Sequence, residues 1–177
     1  LEDKDSFKEK ILFLTKRWKF ISPQTFSKYL KGEINLSGNN LVLSFDDGFS
    51  SNRIVAEEIL NPLGIKAIFF VVTDFIKLTS VEEQKRFIKK RLYPEWRKHP
   101  LPENFHEMGS LSSADLKYLH QTGHTIGSHT ASEKYPGSFF LGTTAPDIRT
   151  YTGQDRRETH FFDLKIFTNQ DPIKNLL

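Results

Sequence analysis

Two adjacent carboxylates, Asp46 and Asp47, are the strongest chemical signal in the sequence. They follow an apolar run at residues 41–45, and Gly48 comes directly after them. Neighbouring carboxylates repel each other, more strongly when they are partly desolvated, and a metal cation or a shared proton relieves that repulsion. Because Asp-Gly is also common turn chemistry, the pair by itself favours a polar turn over a functional site.

A histidine and a further acid strengthen the chemical signal. His129 directly follows a short predicted strand at residues 124–128, and Glu133 lies one helical turn beyond it if that segment is helical. Ligands of parallel sheets and barrels bind at the carboxyl ends of the strands, so Asp46, Asp47 and His129 are expected to meet at one edge. Carboxylates and imidazole around open positions favour a catalytic divalent metal.

The elements that must position these residues alternate between strand and helix. Residues 41–45 predict a buried strand, and residues 66–72 are apolar at both alternating positions, which is typical of a parallel strand buried on both faces. A helix that begins after Ser50 or Ser51 connects the two. Strand, helix and strand predict a right-handed βαβ unit in which the two strands are parallel neighbours.

Four further helices are predicted from start signals and apolar spacing. Ser6 and Ser80 begin capping boxes, Ser22 precedes a proline at the first helical position, and Ser112 starts a helix that a glycine closes. The helix after Ser6 is predicted at residues 7–17, and the helix after Ser80 at residues 81–93. Residues 94–109 are predicted to form a loop.

Composition limits the classes of protein that fit. A chain of 177 residues with 37% hydrophobic and 27% charged residues predicts one globular domain. Its net charge of +3 is scattered and does not indicate a nucleic-acid partner. The absence of cysteine excludes disulfides and thiol chemistry, no apolar run reaches the length of a membrane span, and the charged start is unlike a signal peptide.

Two stretches resemble one known family. Residues 44–48, Ser-Phe-Asp-Asp-Gly, resemble the first motif of the polysaccharide deacetylase family, also called the NodB-homology domain or carbohydrate esterase family 4. Residues 111–130 resemble the approach to its second motif. The resemblance covers residues 41–132, so residues 1–40 are predicted to be a helical N-terminal extension, residues 41–133 the recognisable core of a single domain and residues 134–177 an atypical tail.

The resemblance implies a fold, a reaction and roles for individual residues. The fold would be a distorted, incomplete (β/α) barrel with parallel strands, here with N-terminal helices added. The reaction would be metal-dependent hydrolysis of N- or O-acetyl groups on a polysaccharide or other acetylated glycan. Asp46 would be the general base, and Asp47 and His129 would be metal ligands. Zinc is the first expectation for the metal, with manganese, cobalt and magnesium as alternatives.

The chain also departs from the family pattern. Glu133 stands where the family has a second histidine, and glutamate can still ligate zinc or a harder metal. The family's Arg-x-Pro-Tyr, Asp-Trp and Leu-x-x-His motifs are not found, so the chain is predicted to be truncated or divergent after about residue 132. The alternative is a catalytically inactive relative that binds glycan. Phosphoryl transfer ranks last because no Gly-rich phosphate loop accompanies the aspartates.

Overall fold

The computed structural model describes residues 3–98, 100–101 and 105–130 of the chain. Its strands are Lys19–Phe20 (β1), Asn40–Leu41 (β2), Leu43–Phe45 (β3), Ala67–Val72 (β4) and Thr125–Thr130 (β5). β3, β4 and β5 form a parallel sheet in that order, in which Phe45 pairs with Phe69 and Phe69 pairs with Ile126. The predicted parallel pairing of residues 41–45 with residues 66–72 is therefore confirmed for β3 and β4.

The predicted strand at residues 41–45 is two short strands. β2 pairs in parallel with β1, whereas β3 pairs with β4, and Val42 lies between them. The Ile21 N–H donates to the Leu41 carbonyl at 2.9 Å, so the first half of the segment is held by the N-terminal region. The prediction was wrong here because apolar spacing indicates an extended segment without indicating which neighbour it bonds. β1 had no signal of its own.

The described residues form seven α-helices between and before these strands. They are Lys4–Thr15 (α1), Pro23–Leu30 (α2), Ser51–Val55 (α3), Thr73–Ile76 (α4), Val81–Phe87 (α5), Phe105–Met108 (α6) and Ser113–Gln121 (α7). π-Helical turns, Ala56–Leu60 and Ile88–Leu92, continue α3 and α5. The predicted loop at residues 94–109 includes a 3₁₀ turn, Pro94–Lys98, and α6. Within the described residues, no helix is long and apolar enough to cross a membrane.

Two predicted helix starts are confirmed by their hydrogen bonds. The Ser22 side chain accepts from the Thr25 N–H at 3.1 Å, and Pro23 occupies the first helical position of α2. At α7, the Ser112 side chain accepts from the Asp115 N–H while the Asp115 carboxylate accepts from the Ser112 N–H at 2.9 Å, a complete capping box. A cap of this kind stabilises a helix by about 1 kcal/mol.

The capping boxes predicted at Ser6 and Ser80 are wrong, although α5 does begin directly after Ser80. Asp3 caps α1, because its carboxylate accepts from the Ser6 N–H at 3.1 Å, and the helix begins at Lys4. Aspartate and serine are equally good caps, so spacing alone could not choose between them. At α5 the side chain of Ser80 makes no capping bond, and Gln84 instead donates to the Leu78 carbonyl at 2.6 Å.

The main apolar core lies on one face of the sheet. Phe69 of β4 is fully buried and stacks on Phe45 of β3 with ring centroids 5.0 Å apart. Full burial of such a side chain contributes roughly 1.5–3 kcal/mol. β4 also contributes Ala67 and Val71. The remaining buried members come from α1, the π-helical turn after α3, the adjoining loop, α7 and its N-terminal loop: Ile11, Ala56, Ile59, Leu60, Ile65, Leu111 and Leu119.

A second apolar cluster lies at the carboxyl end of β4. It joins the last residue of that strand to the loop after β3, to α4 and to the turns around α5 and α6. Its buried members are Phe49, Val72, Phe75, Ile88, Leu92, Phe105 and Met108. This cluster fixes α5 and its π-helical extension beside the edge of the sheet where Asp46 and Asp47 emerge.

A buried histidine connects the amino ends of β4 and β5. His124 is 2% exposed, and its Nδ1 accepts from the Ala67 N–H at 3.1 Å. Nε2 lies 3.2 Å from the Asn61 Oδ1, which also accepts from the Lys66 ammonium at 2.7 Å. Burial, and then repulsion from Lys66, lower the pKa of His124 to about 4. The folded protein therefore holds this imidazole neutral.

We expect this histidine to make stability depend on pH. The unfolded chain takes up the proton near pH 6.5 and the folded chain only near pH 4, so the free energy of unfolding falls as the pH drops through this window. The loss by pH 4 should be roughly 3 kcal/mol. Urea unfolding between pH 7 and pH 4 measures it. His124→Gln should lose most of this dependence, and the surface control His120→Gln should keep it; an unchanged slope in His124→Gln would contradict the assignment.

Candidate active site

Asp47 occupies the centre of a tight, strained turn at the carboxyl end of β3. The Gly48 N–H donates to the Asp46 carbonyl at 2.9 Å, and Asp47 has a φ of +68°. This is the γ-turn geometry with positive φ, which is rare and costs free energy for any residue except glycine. Strain of this kind is found at functional sites, where the surrounding structure holds it in place.

Three contacts with two elements hold this turn. The Val72 N–H donates to the Asp47 carbonyl at 3.2 Å, and the Leu111 N–H donates to the Gly48 carbonyl at 2.8 Å. Phe49 forms an antiparallel bridge with Ser110. The two carboxylates are therefore fixed to β4 and to the loop that precedes α7, rather than being carried on a free loop.

His129 lies in a β-bulge at the end of β5. Val71 of β4 pairs with Ser128, but Val72 pairs with Thr130, so His129 is an extra residue in the ladder. A bulge changes the direction of a side chain relative to regular alternation, and bulges are frequent beside active sites. The bulge brings the imidazole to the carboxyl end of the sheet, in agreement with the predicted edge.

The structure brings together Asp46 and His129. The His129 Nε2 lies 3.6 Å from the Asp46 Oδ2, and the two side chains are 9% and 7% exposed. This distance exceeds that of a good hydrogen bond but is close enough for strong electrostatic coupling. A buried imidazole and a buried carboxylate at this separation are suited to hold a cation, or to share and transfer a proton.

Tyr93 is a member of the site that the sequence did not indicate. Its hydroxyl donates to the Asp47 Oδ2 at 3.1 Å, and its ring stacks on Phe49 with centroids 6.1 Å apart. Tyr93 directly follows the π-helical turn Ile88–Leu92, far from Asp47 along the chain. No local motif marks it, because only the packing of the second apolar cluster brings it to the turn.

The side-chain atoms at this edge are of the types that bind a hard or borderline divalent metal. The described residues alone do not form a complete set of ligands. Carboxylate oxygens from Asp46 and Asp47 and an imidazole nitrogen from His129 are typical ligands of zinc and related ions. Within residues 3–98, 100–101 and 105–130, no group of three acidic, histidine or cysteine side chains is close enough to hold a metal. The predicted third ligand, Glu133, lies outside the described residues.

A groove of about 430 Å³ lies elsewhere, between α2 and the strands β4 and β5. It is lined by apolar, amide and hydroxyl side chains and contains no titratable group; its lining does not include Asp46, Asp47 or His129. A site that hydrolyses an acyl bond needs groups that move protons or stabilise charge. The edge that carries the two aspartates is therefore the better candidate for chemistry.

The fold resembles those of three solved structures, two of which are named as deacetylases. IcaB from Ammonifex degensii superimposes with a TM-score of 0.52 at 21% identity over 72% of this chain and 45% of that one. A de-N-acetylase from Aggregatibacter actinomycetemcomitans superimposes with a TM-score of 0.51 at 19% identity, and the match covers 71% of this chain and 44% of that one. The Streptococcus pyogenes deacetylase PplD, in complex with acetate, superimposes with a TM-score of 0.51 at 19% identity, and the match covers 90% of this chain and 56% of that one.

These likenesses confirm the predicted fold, an α/β architecture that forms part of an incomplete (β/α) barrel with N-terminal helices. The chain spans about half the length of each of the three solved chains. A comparison with curated protein sequences gives no significant match.

A family-wide sequence profile provides the decisive comparison. The profile for polysaccharide deacetylases matches residues 33–156, which is more than half of the chain and extends on both sides of the resemblance noted at residues 41–132. The match includes the strained Asp46-Asp47-Gly48 turn and the bulged histidine at the same edge of the sheet. The chain thus belongs to the polysaccharide deacetylase family.

Proposed function

We propose that the carboxyl edge of the sheet is the centre of a divalent-metal-dependent hydrolase that removes N- or O-acetyl groups from a polysaccharide or glycan precursor. The observation that supports this most strongly is the placement of Asp46 and His129, with Nε2 and Oδ2 3.6 Å apart, at the strand ends of a chain that belongs to this family. Asp47 and His129 are the proposed ligands in the described region.

The chemistry divides between the metal and the residues of the chain. A bound divalent ion would polarise the acetyl carbonyl and make a water molecule more acidic. Asp46, the proposed general base, takes a proton from the attacking water as the new C–O bond forms. The bond from the acetyl carbon to the sugar nitrogen or oxygen then breaks, the leaving group acquires a proton, and acetate is released.

The experiment for this proposal is acetate release from N-acetylated oligosaccharides by metal-stripped and metal-reloaded protein. We expect release only after zinc, manganese or cobalt is returned. Release that persists in the stripped protein would contradict metal dependence. Metal binding without release from either N- or O-acetylated substrates would favour the alternative, a family member that binds glycan without turnover.

Tyr93→Phe should weaken metal binding. The substitution keeps the stacked ring but removes the hydroxyl that donates to the Asp47 Oδ2 at 3.1 Å. Groups that orient a metal ligand typically change the affinity by about 10–100-fold when they are removed, so we expect a loss of about tenfold for zinc. Calorimetric titration measures this change.

The control for Tyr93→Phe is Tyr118→Phe. It removes another partly buried tyrosine hydroxyl, one that accepts from the Asn61 amide at 3.4 Å, near the amino ends of the strands. This variant should bind zinc as the unaltered protein does. Equal zinc affinities for Tyr93→Phe and the unaltered chain would show that the hydroxyl does not orient Asp47.

Glu133 remains a proposed third ligand. A ligand set of two carboxylates and one imidazole neutralises more of the cation's charge than one carboxylate with two imidazoles, so the bound water should be less acidic and the pH optimum higher. Glu133→His should raise the zinc affinity, and Lys134→His is the control for adding a histidine one position away. If Glu133→His changes neither zinc affinity nor acetate release, Glu133 is not a ligand.

A further inference from the structure

One segment of the chain carries a local excess of positive charge, although basic residues occur throughout the sequence. Residues 82–98, here called the basic segment, contain seven lysine and arginine residues and three glutamates, a net charge of +4. The whole chain carries +3, so the remaining residues are together slightly acidic. The seven cations are Lys85, Arg86, Lys89, Lys90, Arg91, Arg97 and Lys98.

Most of these cations have no acidic partner among the described residues. Lys85 is the exception, since it pairs with Glu82 at 3.0 Å. Arg86 and Lys90 are exposed one helical turn apart, where like charges repel each other. The Arg97 guanidinium adds to the cluster, because it donates to the Lys89 and Lys90 carbonyls at 3.3 and 3.4 Å. The fold therefore places Arg86, Lys90 and Arg97 near one another on the surface of this segment.

This surface adjoins the candidate active site. The basic segment includes Tyr93, whose hydroxyl contacts Asp47 at 3.1 Å. The π-helical turn Ile88–Leu92 directly precedes Tyr93. Its inner residues Ile88 and Leu92 are buried in the second apolar cluster, which also contains Phe49 and Val72. The exposed cations therefore lie on an element that ends beside the edge of the sheet where acetyl hydrolysis is proposed.

We infer that the substrate is an anionic glycan, whose acidic groups lie on the basic segment while a neutral acetylated sugar occupies the site. This inference rests on the proposed function and names its substrate class. The acidic groups must lie on sugars other than the acetylated one, because that sugar itself occupies the site. Carboxylate or phosphate groups on flanking sugars satisfy both requirements.

The expected contribution is electrostatic and sensitive to salt. Exposed charges attract an anionic polymer over about 10 Å at 0.1 M ionic strength, and this range shortens as salt is added. Several cations around one site raise the local concentration of an anionic substrate and its association rate by about tenfold or more. The effect should therefore appear as a lower KM for anionic substrates, with little change in kcat.

The test compares two N-acetylated probes that differ in charge. Fluorescently labelled hyaluronan oligosaccharides carry a carboxylate on alternate sugars, and chitin oligosaccharides of equal length are neutral. We expect the metal-loaded chain to bind the hyaluronan probe at least about tenfold more tightly at low salt, and the difference to shrink as salt rises. Labelled polyglycerol phosphate, as a third probe, distinguishes phosphate from carboxylate as the preferred anion.

Two charge-reversal variants identify the surface. Arg86→Glu with Lys90→Glu should remove most of the preference for the anionic probe and leave binding of the chitin probe unchanged. Lys8→Glu with Lys16→Glu, at an exposed position of α1 and at the exposed residue after it, makes the same change in net charge elsewhere and should keep the preference. Arg86→Gln with Lys90→Gln is the milder variant if thermal unfolding shows that the reversal disturbs the fold.

The outcomes separate this inference from the proposed function. Equal binding of the hyaluronan and chitin probes, or equal weakening by the two charge-reversal variants, overturns the anionic-substrate inference even if chitin oligosaccharides are deacetylated. A preference for an anionic probe that requires Arg86 and Lys90 supports it. Absence of acetate release from every probe would overturn the proposed function without altering that binding result.

Discussion

Asp46→Asn should lower the rate of acetate release by about 10³-fold, within the range that general-base catalysis supplies. The amide is nearly the same size as the carboxylate but cannot accept the proton of the attacking water. The side chain is buried, with Oδ2 3.6 Å from the His129 Nε2, so no solvent-exposed base replaces it easily. The rate is measured as acetate released per zinc-loaded protein molecule.

Two controls make the Asp46 result specific. Zinc binding to Asp46→Asn should stay within about tenfold of the unaltered chain if Asp47 and His129 are the ligands and Asp46 is not. Asp74→Asn, which removes a carboxylate that pairs with Lys77 at 3.5 Å on α4, should leave the rate unchanged. If Asp46→Asn keeps full activity, Asp46 is not the base.

Gly48→Ala should destabilise the fold by about 2–4 kcal/mol, the sum of left-handed backbone strain and overpacking. Gly48 has a φ of +83°, and an added Cβ would lie 2.9 Å from the Val71 Cγ1 and 3.1 Å from its Cβ. Val71 is 4% exposed and belongs to the central strand, so it has little room to move. The change in the free energy of unfolding is measured by urea denaturation.

Gly64→Ala is the matched control for Gly48→Ala. Gly64 has a φ of +68°, close to that of Gly48, but an added Cβ there would meet no heavy atom within 4 Å. This variant should therefore show the backbone strain alone, about 1–2 kcal/mol. Similar losses in the two variants would mean that the contact with Val71 does not constrain the Asp46-Asp47-Gly48 turn.

The parallel sheet could be predicted because its signals are local. Residues 66–72 are apolar on both faces, and β4 is indeed buried along almost its whole length. The starts of α2 and α7 were predictable for the same reason, since Ser22 and Ser112 cap the backbone within the next few residues. The strand ends then placed Asp46 and His129 at the same edge without further information.

Features that depend on distant packing could not be predicted. β2 leaves the sheet to pair with β1, because Leu41 bonds to Ile21, and no spacing in residues 41–45 indicates this partner. The bulge at His129 exists only relative to the register of β4. Tyr93 reaches Asp47 through the second apolar cluster, whose members come from five separate elements and loops.

The central claim is that Asp47 and His129 bind the metal, and the position of zinc in crystals of the zinc-loaded protein would test it most directly. Anomalous X-ray diffraction from zinc-loaded crystals locates the ion without any assumption about activity. The proposed site predicts one strong peak at the carboxyl edge of β3 and β5, about 2.0–2.2 Å from an Asp47 carboxylate oxygen and a His129 imidazole nitrogen. A fully loaded crystal whose zinc lies away from Asp47 and His129 would contradict the claim.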